Sequence, residues 1–304
     1  MCGILMGVGL DLTGKWLLAE YSLSQFVLLR SLFGAFMLLI LMQGFGGWKS
    51  LHTGRPGWHL LRTLLATGAM FGFFWGLSQM KMVDALTLSF TAPLMTTALS
   101  AIFLRDHVGW RRWAAVATGF SGVLVILQPG TGLLTWAAVG VLAAAFFYAC
   151  IAVTSRHLGD TENTYAMSLY VLIGPTVVAA FGLPGKWQTP PLTDWLLFGF
   201  AGVCSAGAWL GIVNGYRRAS PALLAPFEYT ALIWGALGGY LIWSEVPGGA
   251  VVLGATIIIA SGLFVAYREI QRWAGASRFL RARNPVSVMD GAQTERERAE
   301  APDS

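Results

Sequence analysis

Charge is what this chain has least of. Of its 304 residues only 12% are Asp, Glu, Lys or Arg, against about 25% in a typical soluble domain. So few charges would leave the surface of a water-soluble fold of this length uncovered, and that class is excluded. Cysteine is scarce as well. Cys2, Cys150 and Cys204 suit neither a disulfide framework nor a metal site, and two of them lie within apolar runs. The four histidines, His52, His59, His107 and His157, fall in or near predicted loops and form no metal-ligand set. A glycine-rich phosphate loop ending in Lys-Ser/Thr, a Gly-x-Ser-x-Gly elbow and a His-Glu-x-x-His helix are all missing. No catalytic residue, metal or cofactor is therefore expected, and no enzyme. The net charge of +5 needs no nucleic acid, because basic residues at membrane edges have a topogenic explanation. Met1 leads into apolar sequence without a charged n-region, so no secretory signal is read there.

What the chain has in abundance is apolar sequence. It is 56% hydrophobic with a mean hydropathy of +0.62. A span needs about 20 mainly apolar residues, and ten stretches qualify, near 3–19, 24–43, 60–79, 83–104, 111–128, 133–154, 165–184, 193–213, 222–243 and 249–267. Loop signals separate them: Gly44-Phe45-Gly46-Gly47, Gln128-Pro129-Gly130, Pro184-Gly185, Pro190-Pro191, Ser220-Pro221 and Pro247-Gly248-Gly249. The expected class is an all-α integral membrane protein with ten transmembrane helices. From Arg268 the composition changes to seven arginines and six acids. Residues 268–304 read as a short amphipathic start and then a disordered cytoplasmic tail.

Lys and Arg in loops set the orientation. With the N-terminus cytoplasmic, the inner loops hold Lys49, Arg55, Arg62, Arg105, Arg111, Arg112, Arg156, Arg217 and Arg218. The outer loops hold only Lys81 and Lys186. Both termini are expected in the cytoplasm, in a cell inner (plasma) membrane.

The apolar sequence is also written twice. Gly68, Gly72 and Gly76 recur as Gly207, Gly211 and Gly215, each 139 positions on (207 − 68 = 139). The same offset carries Thr91-Ala92 onto Thr230-Ala231 and Asp106 onto Glu245. Two copies result, 1–128 and 133–267. Five helices is an odd number, so the second copy is expected upside down relative to the first. The loops agree: 105–112 has three arginines and its mate 244–251 has none. A duplicated, inverted, membrane-embedded unit is the mark of a transporter with a site near the midplane.

Leu29-Arg30-Ser31 in helix 2, the acids ending helices 4 and 9 (Leu104-Arg105-Asp106; Trp243-Ser244-Glu245), and the glycine-rich Gly119-Phe120-Ser121-Gly122 and Ala260-Ser261-Gly262 form a further set. Together they resemble the EamA-type transporters of the drug/metabolite transporter superfamily. The resemblance runs over residues 1–268. It implies a secondary carrier with a central cavity lined by helices 1, 3, 4, 6, 8 and 9. Members of that family move amino acids and their derivatives, nucleotide-like metabolites, vitamins and amino-acid-derived metal chelators. Many are exporters, and coupling to protons or substrate exchange is usual. Export of a small polar metabolite by alternating access is the leading expectation here. Import of a vitamin or nucleoside-like metabolite, of the riboflavin or S-adenosylmethionine type, is the alternative. The first helix departs from the pattern by starting almost at Met1 and carrying Asp11 and Lys15.

Glu228, in Pro226-Phe227-Glu228-Tyr229-Thr230, is the most informative charge, and its mate is Ser89. A carboxylate within a span costs about 2.5–3.5 kcal/mol and should face protein or water. It reads as a proton-coupling or substrate-amine site, or else as an ion pair with Lys15 or Arg30. Asp11 and Lys15 stand at i and i+4, on one helix face. They read as a self-compensating pair or as a zwitterion-binding pair. Arg30 reads as a snorkelling residue near the membrane edge. Thr91 and Thr230 are kept as substrate contacts because they recur. Trp75 and Tyr229 are kept as stacking candidates near the glycine stripe and Glu228. The stripes themselves, Gly68, Gly72, Gly76, Gly207, Gly211 and Gly215, read as helix-packing faces, within the chain or in a homodimer. The partners expected are a small-molecule substrate, the lipid bilayer and a coupling proton.

Overall fold

The computed structural model describes residues 1–44, 47, 51–103, 109–128, 135–158, 162–218 and 227–283. Among these every regular element is helical: α1 Cys2–Leu17, α2 Leu23–Gln43, α3 Pro56–Gln79, α4 Met82–Ser89, α5 Ala92–Phe103, α6 Trp110–Leu127, α7 Trp136–Leu158, α8 Thr164–Phe181, α9 Leu192–Arg218, α10 Thr230–Trp243 and α11 Gly249–Arg283. Among the described residues seven stretches are long and apolar enough to cross a membrane: α2, α3, Met82–Phe103, α8, and the apolar parts Trp136–Ser155 of α7, Leu192–Gly215 of α9 and Gly249–Arg268 of α11. The apolar α10 is shorter. The outside of the molecule is itself apolar, with Phe36, Leu64, Phe103, Ile233 and Leu241 all more than half exposed. An apolar exterior around a polar-dotted interior is the pattern of a protein solvated by lipid.

Local chemistry explains the helix ends. The Ser22 hydroxyl caps α2 by accepting from Gln25 N–H, and Asn163 caps α8 from Tyr165 N–H at 2.9 Å. Pro56 opens α3, where its missing N–H costs nothing. The fourth predicted span, 83–104, is broken in two. Pro93 has no N–H for the Ser89 carbonyl, and the Thr91 hydroxyl donates to the Leu88 carbonyl at 2.7 Å instead. The chain turns at Phe90 and restarts at Ala92. Residues 222–226 of the ninth predicted span lie outside the described residues, so α10 is described from Thr230.

Helix packing follows the 139-residue repeat. α3 packs along α7, and its mate α9 packs along α1. α2 packs on α9 as α8 packs on α3, and α5 lies on α7 as α10 lies on α1. Two pairings join a helix to its own mate: α2 with α8, and α6 with α11; α4 also packs on α10. The glycine stripes form the closest seams. A Cβ on Gly72 would stand 2.8 Å from the Gly140 carbonyl, and one on Gly211 2.8 Å from Gly3 Cα. Gly68, Gly72, Gly76, Gly207 and Gly211 thus pack against helices of their own chain.

The ends of the helices define two faces. On one lie the starts of α1, α3 and α8 and the ends of α7 and α9. Gly3 meets Gly211, and His59 of α3 meets Glu162 at 3.3 Å. On the other lie the ends of α1, α3 and α10 and the starts of α2, α4 and α9. There the Tyr21 hydroxyl donates to Asp194 at 2.6 Å, and Gln25 exchanges hydrogen bonds with the backbone of Gln188. The Asp194 bond pushes the Tyr21 hydroxyl up to about 12.

Three side chains differ from their sequence reading. Arg30 lies two turns inside α2, is 1% exposed, and does not snorkel. It donates to Ser205 Oγ at 3.3 Å, abuts the Met70 thioether, and sits 5.3 Å from the Phe74 ring centre. His59 and Arg62 belong to α3 rather than to a loop, because α3 begins at Pro56. Both are buried, Arg62 against Ser155 of α7.

Candidate functional site at two helix breaks

The two breaks are mates and they meet. Thr91 donates to the Leu88 carbonyl at 2.7 Å, and Thr230 donates to the Phe227 carbonyl at 2.6 Å. Thr91/Thr230 and Leu88/Phe227 are both 139 apart, so the same threonine device interrupts the same turn in each copy. Between them sit Phe90 and Tyr229, also 139 apart, with ring centroids at 5.3 Å and planes tilted by 45°. A contact between two repeat mates lies on the axis relating the copies. Phe90 was not singled out from sequence. The signal was available, since it stands beside the recurring Thr91 and its mate is Tyr229.

Glu228 stands beside this pair. It is half-buried, and its charge acts on the hydroxyls of Tyr148 and Tyr229. Tyr148 is half-buried, and its ring lies 6.4 Å from that of Trp209. Asp11 is also half-buried and feels the Arg30 charge. Tyr229 itself is 5% exposed, packs its hydroxyl against Gly262 of α11, and gives that hydroxyl no hydrogen-bond partner among the described residues. A buried, unpaired hydroxyl costs about 1–3 kcal/mol. Tyr229→Phe is therefore expected to raise the melting temperature of the empty protein in detergent; a lower one would contradict this packing.

The remaining sequence candidates are distributed. Lys15 does not pair with Asp11, one turn below it. It forms an ion pair with Glu245 and donates to the Met80 carbonyl at 3.1 Å. Trp75 is 40% exposed and lies against Gly140 in the α3–α7 seam. Thr91 and Thr230 spend their hydroxyls on backbone carbonyls. Among the described residues no group of His, Cys, Asp and Glu is arranged to hold a metal ion. The site offers stacking surface, one carboxylate and a hydroxyl, which are groups for binding a small organic molecule.

Comparison with known proteins agrees with this geometry. The model of the EamA-like transporter family matches residues 2–128 and again 135–267. A riboflavin transporter of Vibrio cholerae is 34% identical over 226 residues, 74% of this chain and 76% of that one. An S-adenosylmethionine uptake transporter of Rickettsia bellii is 27% identical over 259 residues, 85% of this chain and 89% of that one. The pseudopaline exporter CntI of Pseudomonas aeruginosa is 26% identical over 246 residues, covering 78% and 84%. A crystal structure of another protein, 19% identical, aligns at a TM-score of 0.62 over 89% of this chain and 98% of that one, a likeness of fold alone. The chain belongs to the EamA-like transporter family and is a multi-pass membrane transporter.

Proposed function

We propose that this chain is a secondary carrier that imports a flat heteroaromatic metabolite of the flavin or nucleoside class. Its ten spans form two inverted five-helix copies, 1–128 and 133–267, with both termini and the 268–304 tail in the cytoplasm of a cell inner membrane. The antiparallel run of α1 and α9, mates of α7 and α3, supports the inversion, and the bias of loop Lys and Arg supports the orientation. The observation that carries the reading is the Phe90–Tyr229 contact with Glu228 beside it. Broken helices at a midplane site present backbone groups and side chains to cargo without exposing them to lipid. A planar ring system stacks on Tyr229, Phe90 or Tyr148, and Glu228 takes a cationic or N–H group of the cargo, or the coupling proton. Thr230 and Asp11 line the approach, the buried Thr91 holds the break beside Phe90, and Trp75 stays a candidate at the α3–α7 seam. The riboflavin and S-adenosylmethionine relatives support that cargo class, and the S-adenosylmethionine uptake relative supports the inward direction.

Purified protein in liposomes tests it. Labelled riboflavin and labelled S-adenosylmethionine are each offered with and without an inward proton gradient. Saturable uptake of one, competed by its unlabelled form, is the expected result. Uptake of neither, together with loss of an amino-acid-derived chelator from preloaded liposomes, would replace this reading. That second reading, export of a small polar metabolite or chelator, is favoured by the pseudopaline exporter relative.

A further inference from the structure

The repeat sorts helix contacts into those that survive a conformational exchange and those that do not. If the two copies swap conformations, a contact between a helix and its own mate maps onto itself and persists. α6–α11 is such a contact, and so is that of Phe90 with its own mate Tyr229. A contact whose mate joins two different helices is traded for that mate when the geometries exchange, so one of the two loosens as the other tightens. The α1–α10 seam and its mate, α7–α5, are of this second kind. They lie towards opposite faces, so they are the two doors.

The α1–α10 door carries a device that is not repeated at its mate among the described residues. Ser244 ends α10 in the left-handed conformation, φ 54°, with its N–H on the Tyr240 carbonyl. Glu245 N–H closes on the Gly239 carbonyl at 3.2 Å, which turns the Glu245 side chain back along the bundle. Its Oε1 pairs with Lys15 of α1. Its Oε2 accepts from Met82 N–H at 2.8 Å, the first turn of α4. Lys15 also donates to Met80 O, its ammonium sits 5.2 Å from the Trp243 ring centre, and Trp16 lies 6.3 Å from Trp243. Lys81 donates to the Val246 carbonyl at 3.1 Å, and the charges of Lys15, Lys81 and Glu245 all act on Asp84. At the other door the mate of Lys15 is Thr154, whose hydroxyl bonds its own helix. Leu99, Ala149 and Val153 close that seam with apolar contact.

We propose that Glu245 is the gating residue of the carrier's face opposite the termini. Together with Lys15 it fastens α1 to α10 and to the start of α4, and this one-sided latch holds that face shut in the empty protein. Release of Lys15 frees the door, and loss of the Met82 N–H cap frees α4 as well. The proposal rests on the inverted-repeat reading, and the experiment separates the two.

Cys2, Cys150 and Cys204 are replaced by alanine, and a single reporter is introduced. Leu12→Cys places it against Gly238 inside the α1–α10 seam. Leu99→Cys places a second, separate reporter in the α5–α7 seam; 99 is the repeat mate of 238. Labelling rates with a membrane-impermeant maleimide are measured in Lys15→Met, Glu245→Gln and Glu245→Ala backgrounds. Gln keeps an acceptor for Met82 N–H but not the charge. The Leu12→Cys reporter is expected to label about threefold faster in Lys15→Met and Glu245→Gln, and about tenfold faster in Glu245→Ala. Unchanged labelling in Lys15→Met and Glu245→Gln, both well folded by melting temperature, overturns the latch. Under alternating exchange the Leu99→Cys reporter slows as the other speeds up. A faster Leu12→Cys with an unmoved Leu99→Cys sustains the latch and overturns the exchange.

Discussion

Glu228→Gln is expected to abolish transport while leaving the protein folded and in the membrane. The amide keeps the volume and an acceptor but loses the charge. Truncating one partner of a desolvated charge contact costs about 2–5 kcal/mol, and each 1.4 kcal/mol is about tenfold, so cargo affinity or coupled flux should fall at least about 30-fold. Glu228→Asp, with the charge set back by one methylene, should recover part of it. The measurement is initial uptake rate in liposomes as a function of cargo and of pH. If the carboxylate binds the proton, the glutamine variant still exchanges labelled for unlabelled cargo but no longer concentrates it. If it binds the cargo, both fail. Wild-type flux with wild-type pH dependence in Glu228→Gln would remove Glu228 from the mechanism.

Glu228 stood out in the sequence because a lone carboxylate within an apolar stretch has few explanations. What surrounds it was harder to read. Phe90 looked like one more aromatic among many, since nothing local distinguishes a ring on the repeat axis from a ring in a packed seam. The break at Phe90 was hidden for a related reason. Hydropathy over 83–104 is uniform, and only Pro93 with Thr91 betrays that the helix is interrupted. Charged residues near predicted ends were misplaced. Arg30, His59 and Arg62 resemble topogenic or loop residues by position, but their faces are covered by α7, α8 and α9, which no spacing rule reveals. Lys15 shows the limit most plainly. Spacing offers Asp11 as its partner, and the fold offers Glu245, 230 positions away, because α10 comes to lie beside α1.

The glycine stripes were legible as packing faces, and the fold ranks their members. Gly72→Leu and Gly76→Leu should abolish folded protein. At Gly72 even a methyl group stands 2.8 Å from the Gly140 backbone carbonyl, and at Gly76 it stands 2.9 Å from that of Ala137. Gly140 lies in the second turn of α7, and a Cβ on Gly76 also runs into the Val141 side chain, so Ala at either position costs about 1–3 kcal/mol in overpacking and Leu much more. Gly211 meets the backbone of Gly3 at 2.8 Å. Gly3 lies in the first turn of α1, which can tilt away, so Gly211→Leu should be milder. Gly207 faces the Met6 thioether, a flexible side chain, and Gly207→Ala should be nearly tolerated. Gly199 has nothing within 4 Å of a built Cβ, and Gly199→Leu should be neutral. Melting temperature and the monodisperse fraction in detergent rank the series as Gly199, Gly207, Gly211, then Gly72 with Gly76. Equal tolerance at Gly72 and Gly199 would mean that α3 and α7 do not approach this closely. The seams place α1 against α9 and α3 against α7, and so set where the two helix breaks meet. A leucine at Gly72 that left folding intact while stopping transport would locate the function of the stripe in movement along the seam rather than in its formation.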